Sequence, residues 1–341
     1  MVSHRLHNCS PALRACWHPV ALAESITQTP TQVRLLGDPW VVTRLGTELV
    51  AFADICPHRG APLSAGVVDG SVLRCGYHGW AFDPNGSCID IPALGPTGAV
   101  PSRARLTKGH VVELGGLVWL APDEPVVPLP ELPPELPHRY LVSDWNAGAG
   151  QMLDNFLDVA HLPFSHAPSF GVPEDATAVD MSVKRDGWTL FVEHHHRAKL
   201  VDSDEWAAGT AQPFARAHQF RYDAPFTLRL TIRYDELPDV VTLLFAVQPV
   251  DEAHSRLFSS VAHNTAAAAR CTPQEGLRRG LMIIAEDRDV LETVPETYLE
   301  LEPRSELHTR ADRSTLALRR VLSDLVAIAA PSPSPVSSST D

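Results

Sequence analysis

Cys56, His58, Cys75 and His78 restrict the fold of this chain more than any other feature. They stand as Cys-Pro-His-Arg-Gly and, after an intervening stretch, Cys-Gly-Tyr-His-Gly-Trp. Two Cys and two His in two tight pairs can hold one metal centre. Each pair sits among Gly and Pro (Pro57, Gly60, Gly76, Gly79), where backbone can bend around a cluster. In one reading two thiolates bind one iron of a [2Fe–2S] cluster and two neutral imidazoles bind the other. Replacing thiolates by imidazoles removes negative charge and raises the reduction potential. A Cys2His2 zinc site is the alternative. The mixing of one Cys with one His in each pair favours iron–sulfur.

The rest of the chain sets the frame for that site. A length of 341 residues suggests two domains, or one large domain with a module. A net charge of −13 argues against a nucleic-acid partner, because phosphate binding needs a basic face. No long apolar run is present to span a membrane, and the first residues lack the apolar core of a signal peptide. Cys9, Cys16, Cys88 and Cys271 show no framework spacing and read as reduced structural thiols, which places the protein in the cytoplasm.

Turn signals divide the chain. Residues 1–13 are a lead-in. Residues 14–122 read as short strands and turns: Trp40–Leu45 and Leu49–Phe52 around Gly46, a turn at Asn85-Gly86, and Val111–Leu114 with Leu117–Leu120 around Gly115-Gly116. Residues 123–138 are too rich in Pro for regular helix or central strand and read as a linker or, equally, an ordered loop across the second domain. Residues 139–329 form a second, mixed domain. It begins with a helical stretch at 150–166, continues with strands between Asp180 and Asn264, and ends with helices at Pro273–Val294 (Thr272 as N-cap) and at 312–329. Residues 330–341 have a disordered, low-complexity composition.

A second cluster lies in Asp154-Asn155-Phe156-Leu157-Asp158-Val159-Ala160-His161-Leu162-Pro163-Phe164-Ser165-His166. On a straight helix His161 and His166 point roughly 140° apart. Pro163 between them predicts a break or bulge at 162–165 that swings them together. Two imidazoles and a carboxylate suit non-haem Fe(II) with open positions. Asp287 is the candidate carboxylate, on an apolar stripe of Ile283, Val290, Leu291 and Val294, with Glu286 and Asp289 pointing elsewhere. Asp158, one turn before His161, is placed to orient it, with Asp154 as the fallback.

The first set, with its flanks Cys56-Pro-His-Arg-Gly-Ala-Pro-Leu-Ser64 and Tyr77-His-Gly-Trp-Ala-Phe82, resembles the Rieske [2Fe–2S] motif. Asn155, Asp158, His161 and His166 resemble the Asn-x2-Asp-x2-His-x4-His motif of Rieske non-haem iron oxygenases, and Asp287 with Leu291-Glu292 resembles their third-ligand region. The resemblance runs from Trp17-His-Pro-Val to Arg319-Arg320, and within the family the chain looks like the alpha (terminal oxygenase) subunits of the phthalate dioxygenase and vanillate O-demethylase branch. It implies an α+β fold: an N-terminal all-β Rieske domain, then a helix-grip catalytic domain with an antiparallel sheet and a long helix. It also implies a homotrimer, sometimes paired into a hexamer. There Asp158 links His78 of one copy to His161 of the next, and Asn155 and Asp158 serve the reaction.

The implied chemistry uses O2, a Rieske cluster, a mononuclear Fe(II) and electrons from NAD(P)H delivered by a separate reductase or ferredoxin. The chain has no Gly-x-Gly-x-x-Gly fingerprint of its own. The expected reaction is monooxygenation, either hydroxylation or oxidative demethylation, of an aromatic or natural-product small molecule. Alternatives within the class are cis-dihydroxylation and oxidative cyclisation. A rival of another class is a pure Rieske electron carrier, which would need neither the second motif nor the length. His194-His195-His196 reads as a solvated or cavity-lining strand in preference to a third metal site. Phe156, Leu157, Phe164 and Phe170 are candidate cavity residues, and Arg221, Arg229 and Arg233 candidate partners for an anionic substrate.

Overall fold

The computed structural model describes residues 4–134, 136, 139–178, 180–199, 212–269, 273–302 and 306–329. In the N-terminal half, short runs of β-branched and apolar residues separated by Gly turns fold into three small antiparallel sheets. One pairs Thr31–Leu35, Asp38–Leu45 and Glu48–Ala53. A second pairs Val67–Asp69, Val72–Arg74, Ala81–Phe82 and Cys88–Asp90. The third joins His110–Leu114, Leu117–Ala121 and His18–Leu22. Val41, Val50, Phe52, Leu63, Leu73 and Phe82 pack between the sheets and enclose Cys56 and Cys75.

The C-terminal half is built on a seven-stranded antiparallel sheet. In chain order its strands are β1 (Leu141–Trp145), β2 (Met181–Asp186), β3 (Thr189–Ala198), β4 (Phe214–Asp223), β5 (Thr227–Tyr234), β6 (Val240–Pro249) and β7 (Ser255–His263), arranged β1-β7-β6-β5-β4-β3-β2. Alternation separates the two faces. Along β3 and β4, Leu190, Val192, His194, Arg216, His218, Phe220 and Tyr222 are buried on the inner face, while Phe191, Glu193, Gln219 and Arg221 take the other. Helix α1 (Ala149–Leu157) packs on β5 and β6, and helix α3 (Pro273–Leu291) packs against α1 and the short helix α2 (Leu162–Ser165). Helix α4 (Arg313–Ala329) buries Leu318, Val321, Leu322 and Leu325 beside α1.

The two halves share a core. Trp40, Val42 and Ala51 from the first lie in one apolar cluster with Trp145, Met152 and Leu228 from the second. The lead-in contributes too: Arg5–Leu6 pairs with Leu299–Glu300, and the buried Asn8 amide donates to the Asp251 and His254 carbonyls while its oxygen accepts from Ala149 N. Along the described part of 123–138, Val127 and Leu136 are buried, and Leu129 and Leu132 pack with Leu117, Trp119, Ala246 and Phe258. Among the described residues no helix is long and apolar enough to cross a membrane. Cys9, Cys16 and Cys88 are free thiols. Cys271, Thr272 and residues 330–341 lie outside the described residues.

Three sequence expectations change. The helix foreseen at 150–166 stops at Leu157 because Asp158 is extended (φ −71°, ψ 135°) and its side chain accepts from Ala160 N and His161 N. Asp158 is therefore a helix-ending cap and does not share a helical face with His161. Pro163 starts α2 instead of breaking a helix, since proline fits the first turn, where its missing N–H has no intrahelical partner. The break thus falls at 158–161, ahead of the expected 162–165. Helix α3 ends at Leu291, short of Val294; it turns Val290 to solvent, Val294 beyond its end is also exposed, and the buried stripe is Ile284, Asp287 and the half-buried Leu291.

Candidate metal centres

Two loops of nearly identical closure carry the first set. Cys56 N donates to Ala61 O (2.8 Å) and Gly60 N to Cys56 O (2.9 Å); Cys75 N donates to Trp80 O (2.9 Å) and Gly79 N to Cys75 O (3.0 Å). Each loop turns through a glycine at positive φ, Gly60 at 70° and Gly79 at 74°, which a side chain would strain. The Asp54 carboxylate ties the first loop down by accepting from Ser64 N (2.7 Å), Ser64 Oγ (2.6 Å) and Gln32 Nε2 (2.6 Å).

The Cys56 and Cys75 thiols meet in the interior, and burial pushes the Cys56 thiol up to about 11. The imidazoles meet at the rim: the His58 and His78 rings lie 4.5 Å apart and Trp80 stacks flat on His58 at 4.6 Å. Thus the sulfurs form one pair and the imidazoles another. Among the described residues, the one group of three or more metal-binding donors lying within 4.8 Å of one another is elsewhere, so these four do not converge on a single point as one zinc ion requires. Two adjacent pairs fit a two-iron cluster. Two facing buried thiols that form no disulfide fit it as well, because cluster iron replaces their protons.

His161, His166 and Asp287 make the converging group. His161 precedes α2, His166 follows it, and Asp287 reaches in from α3. The His161 and His166 Nε2 atoms are 3.2 Å apart, and Asp287 Oδ1 lies 3.4 Å from the first and 3.3 Å from the second. Bonds of about 2.1 Å at angles between octahedral and tetrahedral put neighbouring donors about 3.0–3.4 Å apart, so three donors at this spacing fit one face of a single ion.

Each imidazole is held from behind by a carboxylate. His161 Nδ1 donates to Asp158 Oδ2 (3.1 Å) and His166 Nδ1 to Glu286 Oε2 (2.8 Å), which also accepts from Ser169 Oγ (2.7 Å). That fixes the tautomers and turns both Nε2 lone pairs toward Asp287. Facing lone pairs beside a carboxylate repel unless a cation or proton lies between them. Burial opposes charge on His161, yet its hydrogen bonds to Asp158 and Asp287 outweigh it and lift the ring to about 9. Burial likewise favours neutral Asp287, but the two imidazoles hold it well below the usual carboxylate range. The cluster is tuned for positive charge at its centre.

Asn155 Nδ2 donates to Asp287 Oδ1 (2.9 Å), fixing the carboxylate across the gap between α1 and α3. The His166 carbonyl accepts from Ser169, Phe170 and Gly171 N–H groups, and Gly171 comes so close that a Cβ there would stand 2.5 Å from Leu162 O. Phe170 stacks on His166 at 4.7 Å.

Some sequence expectations need correction. Glu286, read as pointing away, is the His166 partner, because its long side chain spans the one-residue rotation from Asp287. Asp154 is not a spare histidine partner: it pairs with Arg319 through Nη2–Oδ2 (2.6 Å) and Nε–Oδ1 (3.0 Å). Phe156 and Leu157 are core, and Phe164 is exposed. Arg221 faces the opposite side of the sheet from His194 and His218 and pairs with Asp223 (3.0 Å) and Glu131 (2.7 Å); Arg229 and Arg233 follow it by register. His194 and His196 turn inward and His195 outward, as strand alternation requires.

The profile of the vanillate O-demethylase oxygenase C-terminal domain matches residues 145–327, and that of the Rieske [2Fe-2S] domain matches residues 16–107. The chain belongs to the Rieske non-haem iron oxygenases, as an alpha subunit. It is the terminal oxygenase component, a monooxygenase with a Rieske cluster and a non-haem iron catalytic site. It is 28% identical over 332 residues to the methylxanthine N1-demethylase NdmA of Pseudomonas putida, a match covering 92% of this chain and 89% of that one. It is 31% identical over 163 residues to the oxygenase component of dicamba O-demethylase of Stenotrophomonas maltophilia, covering 45% of this chain and 48% of that protein. The solved structure of Pseudomonas putida CBB5 NdmA with caffeine superposes with a TM-score of 0.78 at 24% identity, covering 94% of this chain and 96% of that one, and shares the fold.

Proposed function

We propose that the enzyme removes a methyl group from an oxygen or nitrogen of a small aromatic or heteroaromatic molecule. The balanced reaction takes the methyl compound, O2, two electrons and two protons to the demethylated product, formaldehyde and water. The relatives' names, an N-demethylase and an O-demethylase, support this reading. The observation that carries it is the triangle of His161, His166 and Asp287, three donors that leave the other side of an ion open. Iron held there supplies dioxygen activation. His161 and His166 would hold it through Nε2 and Asp287 through Oδ1, with Asp158, Glu286 and Asn155 orienting these ligands. Cys56 and Cys75 would bind one cluster iron, His58 and His78 the other. The test is formaldehyde release from a panel of O- and N-methylated aromatics with a surrogate reductase. Hydroxylated or dihydroxylated products without formaldehyde contradict the reading.

The working unit we propose is a cytoplasmic homotrimer fed by a separate reductase or ferredoxin, each chain divided into a cluster domain at 14–122, a linker at 123–138 and a catalytic domain at 139–329. The free thiols support the location. Exposed apolar side chains flank both metal sites, Ile55 and Tyr77 beside the cluster loops and Phe164 beside the triad, which supports docking of one copy's His78 rim against the next copy's Asp158. Asp158→Ala is expected to leave the cluster intact, to weaken iron binding as the loss of a brace does, and, with the catalytic iron saturated, to slow single-turnover product formation. Formation at the unmodified rate contradicts the bridge.

A further inference from the structure

Helix α1 starts without a cap of its own. Gly148 stands at the capping position, where a Ser, Asn or Asp side chain would accept from one of the helix's unpaired N–H groups. Such a side chain has no room, because a Cβ on Gly148 would collide with the Thr297 carbonyl, in the segment that follows α3. The acceptor comes instead from the far end of the chain. Asn8 Oδ1 accepts from Ala149 N, the first helical residue, at 2.8 Å, and the Asn8 side chain is 2% exposed. Its amide nitrogen is fixed by the Asp251 carbonyl, the His254 carbonyl and Ser255 Oγ, each at 3.0 Å. Ser255 Oγ in turn donates to the Ala147 carbonyl (2.7 Å), just ahead of α1.

The segment beyond α3 is held by the same lead-in. Arg5–Leu6 pairs with Leu299–Glu300, Leu301 N donates to the His4 carbonyl (2.8 Å), and the Arg5 guanidinium bonds Glu300 (2.9 Å) and covers the Tyr298 ring at 4.4 Å. Gln151 of α1 completes the arrangement: its Oε1 accepts from Gly148 N (3.1 Å) and its Nε2 donates to the Glu296 carbonyl (2.8 Å). Residues 4–8 thus clasp the start of α1 to the segment leaving α3. Those two helices carry the supports of the metal triangle. Asn155 on α1 donates to Asp287 on α3, Asp158 ends α1 behind His161, and Glu286 on α3 stands behind His166. A helix moves as a rod, so a shift at Ala149 reaches Asn155, about 9 Å along the axis, undamped. We propose that Asn8 is a positioning residue for the catalytic iron. It sets where α1 begins against the exit of α3, and through α1 it holds Asn155 and Asp158 in line with Asp287 and His161. The cluster loops close through their own hydrogen bonds and do not depend on it.

The experiment is titration with ferrous iron of the full chain, its cluster intact and its catalytic iron removed. The readouts are the dissociation constant and the electron paramagnetic resonance of the nitric oxide adduct of the bound iron. Neither needs a substrate, so the outcome stands apart from the demethylase reading. Asn8→Ala is expected to bind iron about tenfold more weakly, with an altered nitric oxide signal and an unchanged cluster spectrum. Asn8→Asp keeps an acceptor at the helix N-terminus, where negative charge is favoured, but turns a carboxylate toward the Asp251 and His254 carbonyls. It should unfold at lower denaturant than the parent and yet bind iron within about twofold of it. Gln151→Ala, at a half-buried position that carries the test should Asn8→Ala fail to fold, should weaken iron by about threefold. Val42→Ala, a truncation in the shared core, should lower the denaturant midpoint and leave iron affinity unchanged. Parental iron affinity in Asn8→Ala and Gln151→Ala, or affinity that simply follows the denaturant midpoint across all four variants, would overturn the proposal.

Discussion

The donors of the cluster loops come from one stretch, residues 56–78, whereas those of the triangle run from residue 161 to residue 287. The loops close on themselves through matching hydrogen bonds at Cys56–Gly60 and Cys75–Gly79. The triangle closes only when α3 packs on α1 and α2, with each imidazole braced by a carboxylate from a different element. A locally closed site depends on its own few residues. A long-range site depends on every contact that docks its pieces, so it should be the more easily lost.

The largest expected effect separates the sites outright. His161→Ala should abolish turnover while the visible absorption of the cluster stays intact; loss of the red-brown colour would make the two sites one unit. Next comes docking. Arg319 on α4 is buried against Asp154 of α1, and removing one partner of such a pair costs about 3–5 kcal/mol. Arg319→Ala should lower the denaturant midpoint accordingly and release catalytic iron before the cluster bleaches; simultaneous loss would erase the contrast.

Acid tests the seam between the halves. His18 lies buried beside Phe226, and burial lowers it from 6.5 to about 4 despite its bond to the Leu13 carbonyl (2.8 Å). Its folded-state value lies below its unfolded one, so its contribution is whole above pH 6.5 and is lost as pH falls toward 4, by about 3 kcal/mol. Chemical denaturation at pH 7 and pH 4.5 should show His18→Phe less acid-sensitive than the parent, and equal sensitivity would refute this. The smallest effect concerns the braces. Glu286→Gln should weaken iron binding or activity by about 10–100-fold and leave the cluster untouched, measurable by iron titration of the apoprotein.

The same contrast explains what the sequence disclosed. The loop residues 56–60 and 75–79 were legible because spacing, Gly placement and ligand type all sit within one short window. His161, His166 and Asp287 were legible as donor types, but their convergence was not dictated by helix periodicity: the turn is made by Asp158 capping α1, and Pro163 merely opens α2. Glu286 escaped because a helical wheel fixes where a side chain starts and not how far it reaches. The antiparallel sheet and the hairpins of the first half were readable from alternation and turn chemistry. The shared core and the tethering of Asn8 across the molecule were not, since nothing local in residues 4–13 signals a partner near residue 251 or 299.

The most direct measurement is iron and acid-labile sulfide per chain in the parent and in His161→Ala. Two independent stations require the two irons and two sulfides of a [2Fe–2S] cluster plus one further iron in the parent, and loss of that one iron alone in the variant. A parent without labile sulfide, or a variant that sheds cluster iron along with the catalytic one, would contradict the account.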